Sequence, residues 1–166
     1  MEKNEKCEII DIKIFPHRFL KAETSEKLLN AIYEVDGMVR VLVRGPSLPE
    51  IVGYGPARGS PVNHSERKLI KINEESMQLR LNVGEILISV FYSKLDSFME
   101  KLEKILETNV PCKYDLFVGM FTKTTVTISD YLKYGCCFED QIDKRLIGMV
   151  DPSARTSDTI KIINKG

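Results

Sequence analysis

The sequence has no excess of either charge and no long apolar run. Its 24 basic and 24 acidic side chains cancel at pH 7, which argues against a general nucleic-acid binder held by bulk electrostatics. No apolar stretch reaches the roughly 18 residues that a membrane span requires. Residues 1–7 are mostly charged and lack the apolar core of a secretory signal. We therefore expect a cytoplasmic protein with no membrane segment.

Cysteine and histidine are scarce, and neither occurs at metal-binding spacing. The four cysteines are Cys7, Cys112, Cys136 and Cys137, and no Cys-x-x-Cys pair is present. A structural zinc site normally shows tighter ligand spacing. We predict four free thiols, no metal site and no cofactor. The alternative for the adjacent pair Cys136-Cys137 is a response to redox conditions.

What the sequence does contain is enough apolar residues for one well-packed domain. The chain has 166 residues, of which 43% are hydrophobic and 29% charged, ordinary values for a soluble globular protein. Alternation of apolar and polar residues predicts strands, and apolar residues three and four positions apart predict helices. A first helix should be capped by Thr24 or Ser25 and stop at Gly37. The predicted strands cover residues 8–15, 38–44, 68–72, 77–83, 85–92, 114–121 and 124–128, and the clearest helix covers 94–108.

This order of elements predicts an α+β fold. Two strand–helix–strand units on one antiparallel sheet, with both helices on one face, form a ferredoxin-like (split βαβ) arrangement. We predict this domain over residues 8–128 and a C-terminal extension over residues 129–166. Within the extension, Ser129–Tyr134 is expected to form a helical turn. Ile160, Ile162 and Ile163 indicate that the polar tail docks, either on the domain or on a partner.

A long loop rich in glycine and proline separates two predicted strands. Residues 44–68 hold four of the seven prolines and four of the ten glycines, so neither a helix nor a paired strand is expected there. A loop of roughly twenty residues is usually functional or disordered. Its apolar side chains can pin it to the body of the protein. We predict an ordered, shaped loop that presents Arg58, His64 and Arg67.

The glycines of this loop do not form a known phosphate-binding motif. No Gly-Lys-Ser/Thr follows them, their spacing does not match a dinucleotide fingerprint, and Pro56 removes an amide donor. Ser60 and His64 are a conceivable nucleophile and base, but nothing in the sequence orients them. A role for His64 as an axial ligand of a metal or tetrapyrrole rests on one residue. No catalytic residue is therefore predicted.

Positive charge is concentrated around the loop. From Arg40 to Lys71 there are six basic and two acidic side chains, a local excess of four positive charges. Arginine recognises carboxylates through two parallel hydrogen bonds and is enriched at protein interfaces. The alternative is an ordinary solvated face. We predict a protein-docking surface on which Arg58 contacts a carboxylate or carbonyl cluster and Tyr54 packs alongside.

Several short motifs, in this order, carry a family resemblance. The motifs are Phe15-Pro-His-Arg, Glu23-Thr-Ser-Glu-Lys-Leu-Leu, Tyr54-Gly-Pro-Ala-Arg-Gly, Arg67-Lys-Leu-Ile-Lys, Ser129-Asp-Tyr-Leu-Lys-Tyr-Gly and Arg145-Leu-Ile-Gly-Met-Val-Asp-Pro. Through them, residues 8–155 resemble the methyl-coenzyme M reductase operon protein D family. Residues 1–7 and 136–138 match no family pattern.

The resemblance implies a non-enzymatic partner of methyl-coenzyme M reductase in methane-producing or methane-oxidising archaea. Members of the family are not subunits of the mature enzyme, and the resemblance implies a role in its assembly, maturation or activation. Because the reductase carries a nickel tetrapyrrole, a role near cofactor insertion follows by the same resemblance. The expected partner-binding residues are His17, Arg18, Tyr54, Gly55, Pro56, Ala57, Arg58, Gly59, His64 and Arg67.

Two alternatives remain open at this point. The first is an RNA-binding module, because ferredoxin-like sheets often bind RNA. The aromatic ribonucleoprotein motif is missing, however, and the net charge is zero. The second is a carrier for the tetrapyrrole, for which the sequence shows no dedicated pocket.

Overall fold

The computed structural model describes residues 8–122, 126–136, 143–147 and 160–163. Short 3₁₀ turns at Tyr92–Lys94 and Lys144–Leu146 accompany the regular elements. In chain order those elements are β1 (Ile9–Pro16), α1 (Ala22–Tyr33), β2 (Met38–Arg44), β3 (Leu69–Ile72), β4 (Glu75–Gln78), β5 (Glu85–Phe91), α2 (Leu95–Asn109), β6 (Tyr114–Gly119), α3 (Ile128–Tyr134) and β7 (Ile160–Ile163).

Five of these strands form one antiparallel sheet. Their order across the sheet is β6-β1-β5-β2-β7, and each neighbouring pair is antiparallel. Because β5 lies between them and is antiparallel to both, β1 and β2 run in the same direction. β3 and β4 form a separate two-stranded hairpin. The predicted α+β class with an antiparallel sheet is confirmed.

The core lies between one face of the sheet and the two long helices. Alternation along the strands places Ile12, Val41 and Ile88 on this face, each at most 1% exposed. Leu28 of α1 and Leu102 of α2 belong to the same buried cluster and are fully covered. Full burial of one such side chain contributes about 1.5–3 kcal/mol. The helices therefore hold the sheet on this face alone, as the apolar stripes predict.

Helix α1 begins earlier than the sequence pattern predicts. Its first residue is Ala22, whose backbone N–H donates to the carboxylate of Glu66 at 2.8 Å. Thr24 and Ser25 lie inside the helix, and the Ser25 hydroxyl donates back to the carbonyl of Lys21 at 2.9 Å. The predicted cap is wrong because the first amide is satisfied by a residue 44 positions away. The helix ends at Tyr33, four residues before the predicted stop at Gly37, which takes φ +96° in the turn before β2.

Two predicted strands differ from the observed structure. β4 ends at Gln78, and the chain continues to Val83 through single bridges from Leu81 to Ser47 and from Val83 to Leu20. The strand predicted over residues 124–128 is wrong at its end, because Ile128 begins α3. Residues 123–125 lie outside the described residues.

A capping box explains the start of α3. The Thr127 hydroxyl accepts from the amide of Asp130 at 3.3 Å, and the Asp130 carboxylate accepts from the amide of Thr127 at 2.9 Å. This reciprocal pair satisfies two helix-end donors. The helical turn predicted for Ser129–Tyr134 is confirmed, one residue longer at its start.

The C-terminal strand docks on the protein's own sheet. β7 pairs with β2, with Val41 opposite Ile162. Ile162 is 6% exposed. The tail isoleucines were expected to dock, and the segment that carries them does so at the β2 edge of the sheet.

Cys112 and Cys136 are free thiols. Cys7 and Cys137 lie outside the described residues, and with them the predicted redox pair Cys136-Cys137. Within the part of the chain that the structure describes, no helix is long and apolar enough to cross a bilayer.

Candidate protein-docking site

The glycine- and proline-rich loop folds into a tight hairpin over residues 51–61. The amide of Val52 donates to the carbonyl of Ser60 at 2.9 Å, and the amide of Gly59 donates to the carbonyl of Val52 at 2.9 Å. Gly55 and Gly59 take φ values of +82° and +88°, which strongly favour glycine. The loop is ordered, as predicted. One isolated antiparallel bridge joins Ile51 to Pro61, although no pairing was expected.

The tip of this hairpin, residues 53–59, stands clear of the body. Tyr54 is 87% exposed, and a Cβ atom built on Gly53, Gly55 or Gly59 would meet nothing within 4 Å. The amide of Arg58 donates to the carbonyl of Gly55 at 3.1 Å, which fixes the turn. The described residues offer the Arg58 side chain no hydrogen bond or ion pair. All the predicted binding residues from Tyr54 to Gly59, including Pro56 and Ala57, therefore face solvent.

Arg67 braces the base of the loop. Its guanidinium donates to the carbonyl of Leu48 at 2.8 Å and to the carboxylate of Glu50 at 3.3 Å. A third bond reaches the side-chain oxygen of Gln78 at 3.3 Å. Leu48 itself is 2% exposed and donates its amide to the carbonyl of Arg80 at 2.6 Å. The structure places Arg67 under the tip rather than on it.

His64 also lies at the base of the loop. Its ring is half-buried, and Nδ1 accepts from the amide of Glu66 at 3.2 Å. Glu66 in turn caps α1 through Ala22. His64 thus contributes to a chain of contacts between the loop base and the first helix.

His17 and Arg18 occupy a different place, at the end of β1. His17 Nε2 lies 2.8 Å from the carboxylate of Asp115, and Arg18 donates to the carbonyl of Pro111 at 3.2 Å. Among the described residues, no hydrogen bond or ion pair joins either side chain to the loop tip. The predicted binding residues therefore fall into three groups: the tip at 54–59, the loop base with His64 and Arg67, and the end of β1 with His17 and Arg18.

The predicted excess of positive charge is smaller at the surface than in the sequence. Arg40 is 3% exposed, and Arg67 is largely covered by its own contacts. Lys68 faces Glu23 at 3.5 Å. Only part of the local positive charge is therefore available to a partner, and Arg58 is among its exposed members.

A buried polar network explains the position of Arg40. Its guanidinium donates to the Ser89 hydroxyl at 3.3 Å, to the Thr122 hydroxyl at 3.0 Å and to the carbonyl of Ile147. Asp11, fully buried, accepts from the Ser89 hydroxyl at 2.6 Å and from the amide of Thr122 at 2.7 Å. Burial lowers the pKa of Arg40, while the charges of Asp11 and Asp130 act in the opposite direction.

Sequence reasoning missed this network. Asp11, Arg40 and Ser89 occupy polar positions of alternating strands, and Arg40 was counted toward the positive charge of a docking surface. Arg40 pairs with Ser89 across β2 and β5, and Asp11 pairs with Ser89 across β1 and β5. The available signal was a pair of opposite charges on β1 and β2 at positions that both lie opposite Ser89 of the strand between them.

Around β2 and β5, the second face of the sheet is covered by the same contacts. Leu87 is 1% exposed and Leu42 is 8% exposed on that face, beside the Arg40 network. On the β1–β6 side of this face, Phe15 and Phe117 are 47% and 49% exposed, and exposed aromatic rings are what RNA-binding sheets use for stacking. Within the described ranges, no group of histidine, cysteine, aspartate or glutamate side chains could hold a metal ion.

Comparison with known proteins identifies the family. The family model described as methyl-coenzyme M reductase operon protein D matches residues 11–159. The methyl-coenzyme M reductase II operon protein D of Methanothermobacter thermautotrophicus is 58% identical over 91% of this chain and 93% of its own length. The corresponding protein of Methanocaldococcus jannaschii is 54% identical over 96% of this chain and 95% of its own. The methyl-coenzyme M reductase operon protein D of Methanococcus voltae is 44% identical over 95% of this chain and 97% of its own length.

These matches span nearly the whole chain, and the names they carry are those of operon proteins. The chain belongs to the methyl-coenzyme M reductase operon protein D family.

Proposed function

We propose that this protein binds methyl-coenzyme M reductase and acts, without catalysing a reaction, in its assembly, maturation or activation. The stages to which this role would belong are insertion of the nickel tetrapyrrole into the enzyme and activation of the enzyme. The observation that carries the proposal is the loop tip, where Tyr54 and Arg58 project from a hydrogen-bonded hairpin. The family's association with the reductase operon gives the partner.

A braced, exposed tip suits protein docking for a physical reason. Binding energy is lost when a flexible loop must be ordered, and a loop already held by Arg67 avoids most of that loss. Tyrosine and arginine are the residue types that most often dominate binding energy at interfaces. Arg58 brings a planar donor fork with no partner in the described part of the chain.

We interpret the scaffold that carries the loop as ferredoxin-like. The order β6-β1-β5-β2, with α1 connecting β1 to β2 and α2 connecting β5 to β6, supports this interpretation. In it, residues 8–128 form the domain and residues 129–166 the extension, from which β7 adds a fifth strand. The formal net charge of zero disfavours the RNA-binding alternative.

The test compares Arg58→Ala with wild-type protein in binding to purified reductase. We expect binding weakened by about 2 kcal/mol, roughly thirtyfold in Kd, with no change in thermal stability. Arg58→Lys should restore little, because lysine keeps the charge and loses the planar fork. Lys104→Ala on the exposed side of α2 serves as the control and should bind normally.

The opposite pattern would show that Arg58 serves its own domain. In that case Arg58→Ala lowers the melting temperature and leaves the affinity of the folded protein unchanged. Association should also weaken with added salt, because exposed charges are screened over about 8 Å at physiological ionic strength.

A further inference from the structure

A second surface, distant in sequence from the loop tip, has the features of a binding cleft. It has a volume of about 510 Å³ and lies where β1 and β2 end and β5 begins. The residues that line it are Phe15, Pro16, His17, Arg18, Phe19, Arg44, Gly45, Gly84 and Glu85.

Glycine backbone forms part of the cleft, and aromatic rings form its apolar walls. A Cβ atom on Gly45 would lie 1.6 Å from the carbonyl oxygen of Asn82, so the two chain segments approach closely only because this residue is glycine. A Cβ atom on Gly84 would lie 3.1 Å from the ring of Phe19. Phe15 and Phe19 remain 47% and 56% exposed. Large apolar surface is thus left open to solvent at a defined place.

The charges at the cleft are unbalanced. Glu85 lies directly opposite Arg44 across β2 and β5, yet its carboxylate pairs with Lys13 at 3.3 Å. The only bond of Arg18 in the described structure goes to a neutral carbonyl, that of Pro111. Within that structure neither Arg18 nor Arg44 has a carboxylate partner. Two guanidinium groups therefore border an apolar cleft, and the one carboxylate in its lining, that of Glu85, is paired with Lys13 instead.

We propose that this cleft is a second docking site for the reductase. The cleft receives an apolar side chain of the reductase that is flanked by carboxylates. The inference rests on the proposed function for the identity of the partner. Charge complementarity selects an acidic segment, since arginine binds carboxylates through paired hydrogen bonds. The exposed rings of Phe15 and Phe19 select an apolar residue beside those acids. A cleft open to solvent along its walls suits a protruding chain segment of a protein partner.

Charge reversal tests the electrostatic half of the proposal. The double variant Arg18→Glu/Arg44→Glu should bind purified reductase at least about tenfold more weakly than wild type at low salt, and the difference should shrink as salt is added. Lys27→Glu, on the exposed side of α1, reverses a charge away from the cleft and should change affinity less than about twofold. Circular dichroism checks that each variant is folded. Equal affinity of the double variant and wild type would overturn the proposal.

Site-specific cross-linking tests the apolar half independently of affinity. A photoreactive phenylalanine analogue is placed at Phe19, and in separate proteins at Tyr54 of the loop tip and at exposed Tyr92. We expect position 19 to cross-link the reductase, with the linked peptide rich in aspartate and glutamate. Position 92 should give no product.

The outcomes separate the two proposals. Cross-linking from position 54 without any from position 19 overturns the cleft and leaves the proposed function standing. No binding of the wild-type protein to the reductase overturns both. A linked peptide without acidic residues also overturns the cleft proposal, because the unbalanced arginines would then have no role in it.

Discussion

At the scale of single residues, Asp11 and Arg40 form a buried pair of opposite charges that is linked through hydroxyl groups, unlike an exposed ion pair. Both are nearly inaccessible to water, and the hydroxyls of Ser89 and Thr122 connect them. Removing one member of a buried charged network leaves the other uncompensated, which typically costs 3–5 kcal/mol. The pair therefore fixes how the segment around Thr122 and Ile147 lies on the sheet.

We expect Asp11→Ala to lower the free energy of unfolding by about 3–5 kcal/mol, measured by chemical denaturation. The control is Lys13→Ala on the same strand. Its ion pair with Glu85 is partly exposed at 28% and 24%, and its ammonium lies 4.6 Å from the centre of the Phe121 ring, so the loss should stay within about 2 kcal/mol. The double variant Asp11→Ala/Arg40→Met should be less destabilised than the two single changes added together, because no lone charge stays buried. Strict additivity would show that the two residues act separately.

Residue-level prediction from the sequence succeeded where the backbone dictated the outcome. The glycines at 55 and 59 indicated a shaped turn, and both take left-handed backbone angles. It failed for Arg40 and Arg67, which the local charge excess placed on the surface. Their partners lie far along the chain, at Ser89 and Thr122 for Arg40 and at Leu48 and Gln78 for Arg67. Composition reports the charge of a segment but not which side chains the fold turns inward.

At the scale of elements, α2 shows how a strong apolar period leads to a buried face. The helix runs from Leu95 to Asn109, within one residue of the predicted bounds. Phe98, Leu102 and Leu106 are all fully buried. By contrast, the start of α1 depended on Glu66, a contact between distant residues that no local signal encodes. Periodicity therefore predicted the helices, whereas tertiary contacts decided their ends.

The matching prediction compares two leucines. Leu102→Ala should lower the free energy of unfolding by about 2–5 kcal/mol, because it leaves a cavity at the centre of the helix–sheet core. Leu69→Ala removes the same atoms from a side chain of β3 that is 73% exposed, and should change stability by less than about 0.5 kcal/mol. Denaturant titration of both variants gives the comparison. A loss below about 1 kcal/mol for Leu102→Ala would mean that this face of α2 is not core.

At the scale of the whole molecule, the protein uses its two sheet faces differently. One face packs on α1 and α2, and the other is covered beside β2 and β5 by the polar network that joins Arg40 to Thr122 and Ile147. The surfaces proposed for a partner lie at the hairpin tip and at the cleft beside Phe19. The sequence indicated the tip through its glycines and prolines. It could not indicate the cleft, because Arg18, Arg44 and Gly84 come together only when β1, β2 and β5 pair.

The C-terminal strand completes this arrangement, and its removal gives a whole-molecule prediction. β7 covers the outer edge of β2, where its residues lie opposite Arg40–Val43, and buries Ile162. A chain that ends at residue 159 loses this burial, which alone contributes about 1.5–3 kcal/mol, and also loses the edge hydrogen bonds. We expect a lower unfolding midpoint in denaturant. We also expect concentration-dependent self-association by light scattering, because an uncovered strand edge invites pairing with another chain.

A chain that ends at residue 163 retains β7 and should match the full-length protein in both measurements. If the chain that ends at residue 159 were as stable and monomeric as that control, β7 would not stabilise the edge of the sheet. The tail isoleucines would then be free to bind a partner.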